Sequence, residues 1–224
     1  MSLFAGLAVG FSVVGALAVL FGRKAAAAGP SSTDSDPEQS EQPPSSIAAP
    51  TDVAQVARGE VERWKGLDEK SADAEPMLRE YWQTTGQPYP GPETAWSAAF
   101  ISWVVKHSNI PAALSPSGAH VYYARRAYLD RGKPGRYGAF RPDEVTAIAP
   151  GDIVVSRRQG SDEELAFDDL THSGAFIPAH GDVVVDAHGD ALRLVGGNVN
   201  DTVSERSASA KSPNIVAVLR FQPA

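Results

Sequence analysis

Beyond residue 51 the chain changes its hydrophobic period about half-way along. In the first half, apolar residues recur at helical spacing. Thr51-Asp52 can cap a helix carrying Val53, Val56, Val61 and Trp64, and Met77, Leu78, Tyr81 and Trp82 mark a second. Gly86-Gln87-Pro88-Tyr89-Pro90-Gly91-Pro92 then forbids regular structure. Directly after it, Trp96, Phe100, Trp103 and Val104 fall at i, i+4, i+7 and i+8, lining one face of a buried helix. Thr94 is its expected N-cap, which makes Ser97 the third helical residue. There, backbone N–H groups lack intrahelical acceptors and the positive end of the helix dipole favours a nucleophile or an anion. The plainer alternative is a small polar residue in a tightly packed first turn. Asn109-Ile110-Pro111 ends this helix, and Ser117-Gly118 opens another that carries His120, Tyr123, Ala124, Ala127 and Tyr128.

The second half reads as short β-branched runs separated by Gly, Pro, Asp and Asn. These are Asp152–Ser156, His172–Ile177, Asp182–Asp186, Leu192–Gly196 and Ile215–Phe221. Strands at that spacing form an antiparallel sheet or half-barrel. Helices followed by such a sheet give an α+β fold with the N-terminal helices packed on one side. No internal repeat is visible.

Two segments precede this domain, which is expected over 52–224. Residues 2–22 are uncharged and, at about 1.5 Å per residue, long enough to cross a hydrocarbon core of about 30 Å. The reading is a transmembrane anchor within 1–24; a signal peptide cleaved near Ala25–Ala28 is the rival, although no basic n-region is present. Residues 25–51 are rich in Ser, Pro, Gln, Asp and Glu and form a disordered tether, reaching about 25 to 30 Å.

The formal net charge of −7 and the lack of any Lys/Arg block exclude a broad nucleic-acid footprint. The chain has no cysteine, which removes disulfides, thiolate metal sites and cysteine nucleophiles. Of the five histidines, His107 lies at a polar helix end, and His180 and His188 sit in Gly-rich segments that read as solvated turns. His120 has apolar helical neighbours and reads equally as a core histidine. His172 begins a strand after an acidic loop, with Ser173-Gly174 leaving space beside its ring. Gly196-Gly197 inside a strand pattern marks a bulge or a close backbone approach, with Asn198 beside it able to orient an imidazole; a plain turn is the alternative.

Trp96-Ser97-Ala98-Ala99-Phe100-Ile101-Ser102-Trp103, Ala149-Pro150-Gly151-Asp152-Ile153-Val154, His172-Ser173-Gly174-Ala175-Phe176-Ile177 and Gly196-Gly197-Asn198 occur in that order. The series resembles the signatures of the NlpC-type and CHAP-type papain-fold cell-wall hydrolases. More narrowly, it resembles the bacterial domain of unknown function 2272, over about Val53 to Phe221. The resemblance implies a papain-like fold and an enzyme that cleaves amide bonds in peptidoglycan peptides. It also implies a catalytic set of Ser97 as nucleophile, His172 as base and Asn198 as orienting residue. Trp96, His120 and Tyr123 are assigned to substrate binding, and the reading calls for no cofactor and no metal.

The chain departs from that superfamily at the nucleophile, where a serine replaces the cysteine. A hydroxyl needs a positioned base, so Ser97 works only if a histidine reaches it. Three readings stay open: a serine hydrolase, an inactive module that binds cell-wall peptides, and a membrane-tethered structural subunit of a larger assembly. The hydrolase reading places a single-pass protein in the cytoplasmic membrane with its folded domain facing the periplasm or cell wall. Arg23 and Lys24 after the span vote weakly for the opposite orientation.

Overall fold

In the computed structural model, which describes residues 52–224 except 159 and 162, helices come first and a sheet follows. The expected anchor and tether lie outside the described residues. No described helix is long and apolar enough to cross a membrane.

Helix α1 (Val53–Arg63) opens on a capping box: Asp52 accepts from the Gln55 N–H at 2.8 Å, and the Gln55 side chain accepts from the Asp52 N–H at 3.3 Å. Helix α2 (Glu75–Thr84) buries the four residues its periodicity picks out, Met77, Leu78, Tyr81 and Trp82. Helix α4 (His120–Leu129) buries His120, Tyr123, Ala124 and Ala127.

Helix α3 (Ser97–Lys106) differs from the expectation in two ways. It is buried on every side from Ser97 to Val105, because it runs through the centre of the domain between α1, α2 and the sheet. It also begins at Ser97, with Trp96 in the cap position, so Ser97 is the first helical residue and not the third. Thr94 does not cap it. Its N–H bonds back to Gly91 O in a turn, while Trp96 is pinned by stacking on Trp64 at 4.8 Å and by donating its indole N–H to Glu69 at 2.9 Å. The Ser97 N–H still lacks an intrahelical acceptor, so the electrostatic argument survives the shift.

The sheet has six strands: β1 (Arg136–Phe140), β2 (Ile153–Arg157), β3 (Ala179–His188), β4 (Ala191–Val199), β5 (Thr202–Ser209) and β6 (Ile215–Gln222). Their spatial order is β1-β6-β2-β3-β4-β5, and all neighbours are antiparallel. Ile153, Val155, Val183, Val185 and Leu219 join the core shared with the helices. Val154, Val184, Leu192, Leu194 and Val218 pack with Ile148 in a smaller apolar cluster. Two clusters explain why these strands read as unbroken apolar runs.

The run His172–Ile177 is not a strand. Arg125, a buried arginine of α4, donates Nε to Asp169 O at 2.9 Å and Nη1 to the carbonyls of Gly174 and Ala175 at 2.8 and 2.9 Å. Carbonyls turned onto a guanidinium cannot serve a ladder, and pairing starts only at Ala179. Asp152 shapes its turn: it accepts from the Ala149 N–H at 2.9 Å and pairs with Arg220.

Candidate active site

Ser97 stands at the start of α3 with its side chain in a cleft of about 600 Å³. Its hydroxyl lies 2.6 Å from His120 Nε2 at the start of α4. The other ring nitrogen, Nδ1, lies 2.5 Å from the Tyr123 hydroxyl one helical turn on. All three side chains are buried or nearly so: Ser97 is 7% exposed, His120 5% and Tyr123 1%.

Burial, then the nearby His180 charge, holds the His120 pKa well below the ordinary 6.5, against the pull of Asp182. Burial likewise holds the Tyr123 hydroxyl well above its ordinary value of 10, so it stays protonated. The neutral imidazole donates from one nitrogen and accepts at the other. When Tyr123 accepts from Nδ1, Nε2 is free to take the Ser97 proton; when Tyr123 donates, Nε2 carries the hydrogen and donates to Ser97. The orientation of the phenolic O–H and the tautomer of the ring are therefore coupled, and in one of the two arrangements Nε2 can accept from the Ser97 hydroxyl.

A second histidine shares the cleft. His180 begins β3, and its Nε2 lies 3.2 Å from Asp182 Oδ1, two residues along the strand. Asp182 is fully buried and accepts from Arg206 of β5 at 2.5 Å. Burial alone would raise the Asp182 pKa. The hydrogen bond from His180 and the charges of His180 and Arg206 outweigh that penalty and hold it below its ordinary value, so the carboxylate is ionised. The His120 and His180 rings are 5.7 Å apart between centroids.

Glycines make this geometry possible. A Cβ at Gly181 would collide with the Tyr123 hydroxyl and the His120 ring. A Cβ at Gly196 would strike Asp182, and one at Gly197 would lie 2.6 Å from atoms of Phe100 and Trp96. Both readings of the Gly196-Gly197-Asn198 segment are realised, at neighbouring positions. The register shifts between Gly196 and Val199, with Asn198 at φ 56, and the turn follows at Asn200 and Asp201, with φ 53 and 62.

The placement of the expected site residues is mixed. Ser97, His120 and Asn198 all line the cleft, and Tyr123 backs His120. His172 is not brought to Ser97: it is exposed, 3.3 Å from the Thr171 hydroxyl, in a hollow of about 330 Å³ with Tyr122, Leu129 and Leu170 that shares no lining residue with the Ser97 cleft. Trp96, expected to bind substrate, is fully buried and lies behind the cleft. Tyr123 is likewise sealed from a ligand and touches His120 instead.

His180 is no turn histidine. The signal for it was His180-Gly181-Asp182, an imidazole and a carboxylate two apart and so on one face of a strand, in front of the run Val183-Val184-Val185. Gly181 reads as a turn former only until the side chains packed against it are known.

A family model described as an uncharacterized protein conserved in bacteria (DUF2272) matches residues 53–218, most of the chain. The chain belongs to this family. The DUF2272 match spans every side chain of the cleft described above, from Ser97 to Arg206. No curated protein and no solved structure matches the chain.

Proposed function

We propose that this DUF2272 protein is a serine hydrolase of the acyl-transfer type, with Ser97 as nucleophile and His120 as its base. The observation that carries the reading is the 2.6 Å approach of Ser97 Oγ to His120 Nε2 inside a cleft. Ser97 Oγ attacks a carbonyl carbon while its proton passes to His120 Nε2, and Nδ1 donates to Tyr123. The oxyanion faces N–H groups of the first turn of α3, which have no intrahelical acceptor. Protonation of the leaving amine by an imidazole yields the acyl-enzyme, and water releases the acid. His180, its ring fixed by Asp182, lines the same cleft and is the second imidazole able to exchange that proton.

The resemblance to NlpC-type and CHAP-type proteins makes peptidoglycan amides the proposed substrates and a papain-like frame the proposed ancestry. It also keeps the membrane-anchored, wall-facing placement as part of the proposal. The sheet order and the central helix opening on the nucleophile are compatible with that frame.

A second reading is an inactive module that binds wall peptides. It draws on the hydroxyl at the nucleophile position, and on the tautomer in which Tyr123 donates to His120 and Ser97 only accepts. Treatment of the full chain with a fluorophosphonate separates the two. The hydrolase gives a covalent adduct on the peptide containing Ser97, whereas saturable binding of wall peptides without an adduct supports the module.

The His120 shift sets the pH dependence. A base works while neutral, and the His120 pKa lies below 6.5, so the acid limb of kcat/KM falls below pH 6.5. Stability falls in the same direction but starts to fall at a higher pH. Below pH 6.5 the unfolded chain takes up a proton that native His120 refuses, so the stability present above 6.5 declines as pH falls. A pH–rate profile beside thermal unfolding at each pH should show activity outlasting the onset of destabilisation.

A further inference from the structure

Among the described residues, the lining of the Ser97 cleft is basic although the protein is acidic. The chain carries a formal −7, yet Arg157, Arg158 and Arg206 line the cleft together with His120 and His180, and no Asp or Glu is among its described lining residues. Two of the arginines are committed. Arg206 is paired with Asp182, and Arg157 donates to the carbonyls of Leu165 and Pro213, with Glu164 3.9 Å away. Arg158 follows β2 with an exposed side chain on the cleft wall. Its charge reaches the catalytic pair, since it is one of the causes that hold the His120 pKa down. Apolar Phe176 and Trp82 and the polar Asn214 also line it.

We infer that the cleft selects an acyl substrate bearing a carboxylate, which Arg158 binds while the scissile carbonyl lies at Ser97. A guanidinium matches a carboxylate with two parallel N–H donors, so it fixes orientation as well as charge. Asp182 is buried beneath Arg206 and does not reverse the sign of the cleft wall. An acyl group with a carboxylate anchored at one end presents its amide to Ser97 in a single direction, which is what positioning contributes to an acyl transfer.

This inference rests on the Ser97 cleft being the substrate site and deepens the hydrolase reading by naming the substrate class. Its test reads binding without turnover, so it stands or falls apart from the adduct experiment. The full chain carrying Ser97→Ala is titrated calorimetrically with three peptides: acetyl-Ala-Ala with a free C-terminus, acetyl-Ala-Glu C-terminal amide, and the neutral acetyl-Ala-Ala amide. At least one carboxylate peptide should bind about tenfold or more tightly than the neutral one, the preference shrinking as salt rises. Preference for the first peptide names a terminal carboxylate as the group recognised, and preference for the second names a side-chain carboxylate. Arg158→Gln should abolish the preference, and Arg158→Lys should restore part of it. Equal affinity for all three peptides, absence of binding by any of them, or an unchanged preference in Arg158→Gln overturns the inference.

Discussion

On the proposed serine-hydrolase mechanism, Ser97→Ala is expected to remove hydrolysis of peptidoglycan peptides, by about 10,000-fold or more, and to leave the fold in place. The size of the effect follows from the chemistry: alanine has no nucleophilic atom, and side chains that act as a unit lose nearly everything when one is removed. The structural cost is small by comparison. One hydrogen bond between Ser97 and His120 is lost at the wall of an open cleft, about 1 kcal/mol or less, and water can replace it. For a domain of this size that corresponds to about 2–4 °C in Tm. Release of new amine termini from peptidoglycan by the full chain and its variant, with thermal unfolding beside it, measures both parts. Undiminished release by Ser97→Ala would remove the serine from the mechanism. Release that survives Ser97→Ala but fails in His120→Ala would move the chemistry onto the histidine.

Gly181→Ala should cost about 100-fold in kcat/KM through one methyl group placed some distance from the scissile bond. Gly181 is not in the left-handed region, so alanine suffers no backbone penalty there, and the effect is steric. The new Cβ has to occupy space held by the Tyr123 hydroxyl and the His120 ring. Both belong to α4, which packs on β3, and the cheapest relief is to turn His120 off the serine. A displacement of about 1 Å at a catalytic group is worth about 100-fold in rate, and overpacking costs about 1–3 kcal/mol in stability. Gly59→Ala is the control. Gly59 lies within α1 with nothing near its Cβ direction, so alanine should raise stability by about 1 kcal/mol and leave kinetics alone. Normal activity in Gly181→Ala would mean that the His120–Ser97 contact is not needed for turnover.

How far the sequence carried the reading depends on how local each signal is. Met77, Leu78, Tyr81 and Trp82 are buried because a single helix face points at one core, and that face is written at i, i+1, i+4 and i+5. The central strands were legible for a similar reason: Val183-Val184-Val185 and Ile153-Val154-Val155 are apolar on both sides. The strands that went unread, β1 and β5, are the two edges of the sheet. In β5 only Val203 is buried, and β1 is the pentapeptide Arg136-Tyr137-Gly138-Ala139-Phe140. An edge strand owes its conformation to the neighbour it pairs with, and that neighbour is remote in sequence.

The site divides along the same line. The place of Ser97 in the first turn of α3 was legible because the opening of a helix after a Pro/Gly-rich break is a local event, even though the cap moved from Thr94 to Trp96. Its partner could not be found that way. His172 had local promise, a small-residue neighbourhood and a following apolar run, but Arg125 gathers the carbonyls around it and keeps that segment out of the sheet. His120 and His180 meet the cleft because α4 is laid across the start of β3, with Gly181 allowing the close approach.

By itself, then, the amino-acid sequence determined the four helical segments, the apolar runs of β2, β3, β4 and β6, and a serine in the first turn of the buried helix, since periodicity and chain breaks act over a few residues. Only the tertiary structure decided the edge strands, the sealing of Trp96 behind the cleft, and which of five histidines stands against Ser97. Those outcomes depend on contacts between residues far apart in the chain, where packing and buried hydrogen bonds choose among locally equivalent candidates.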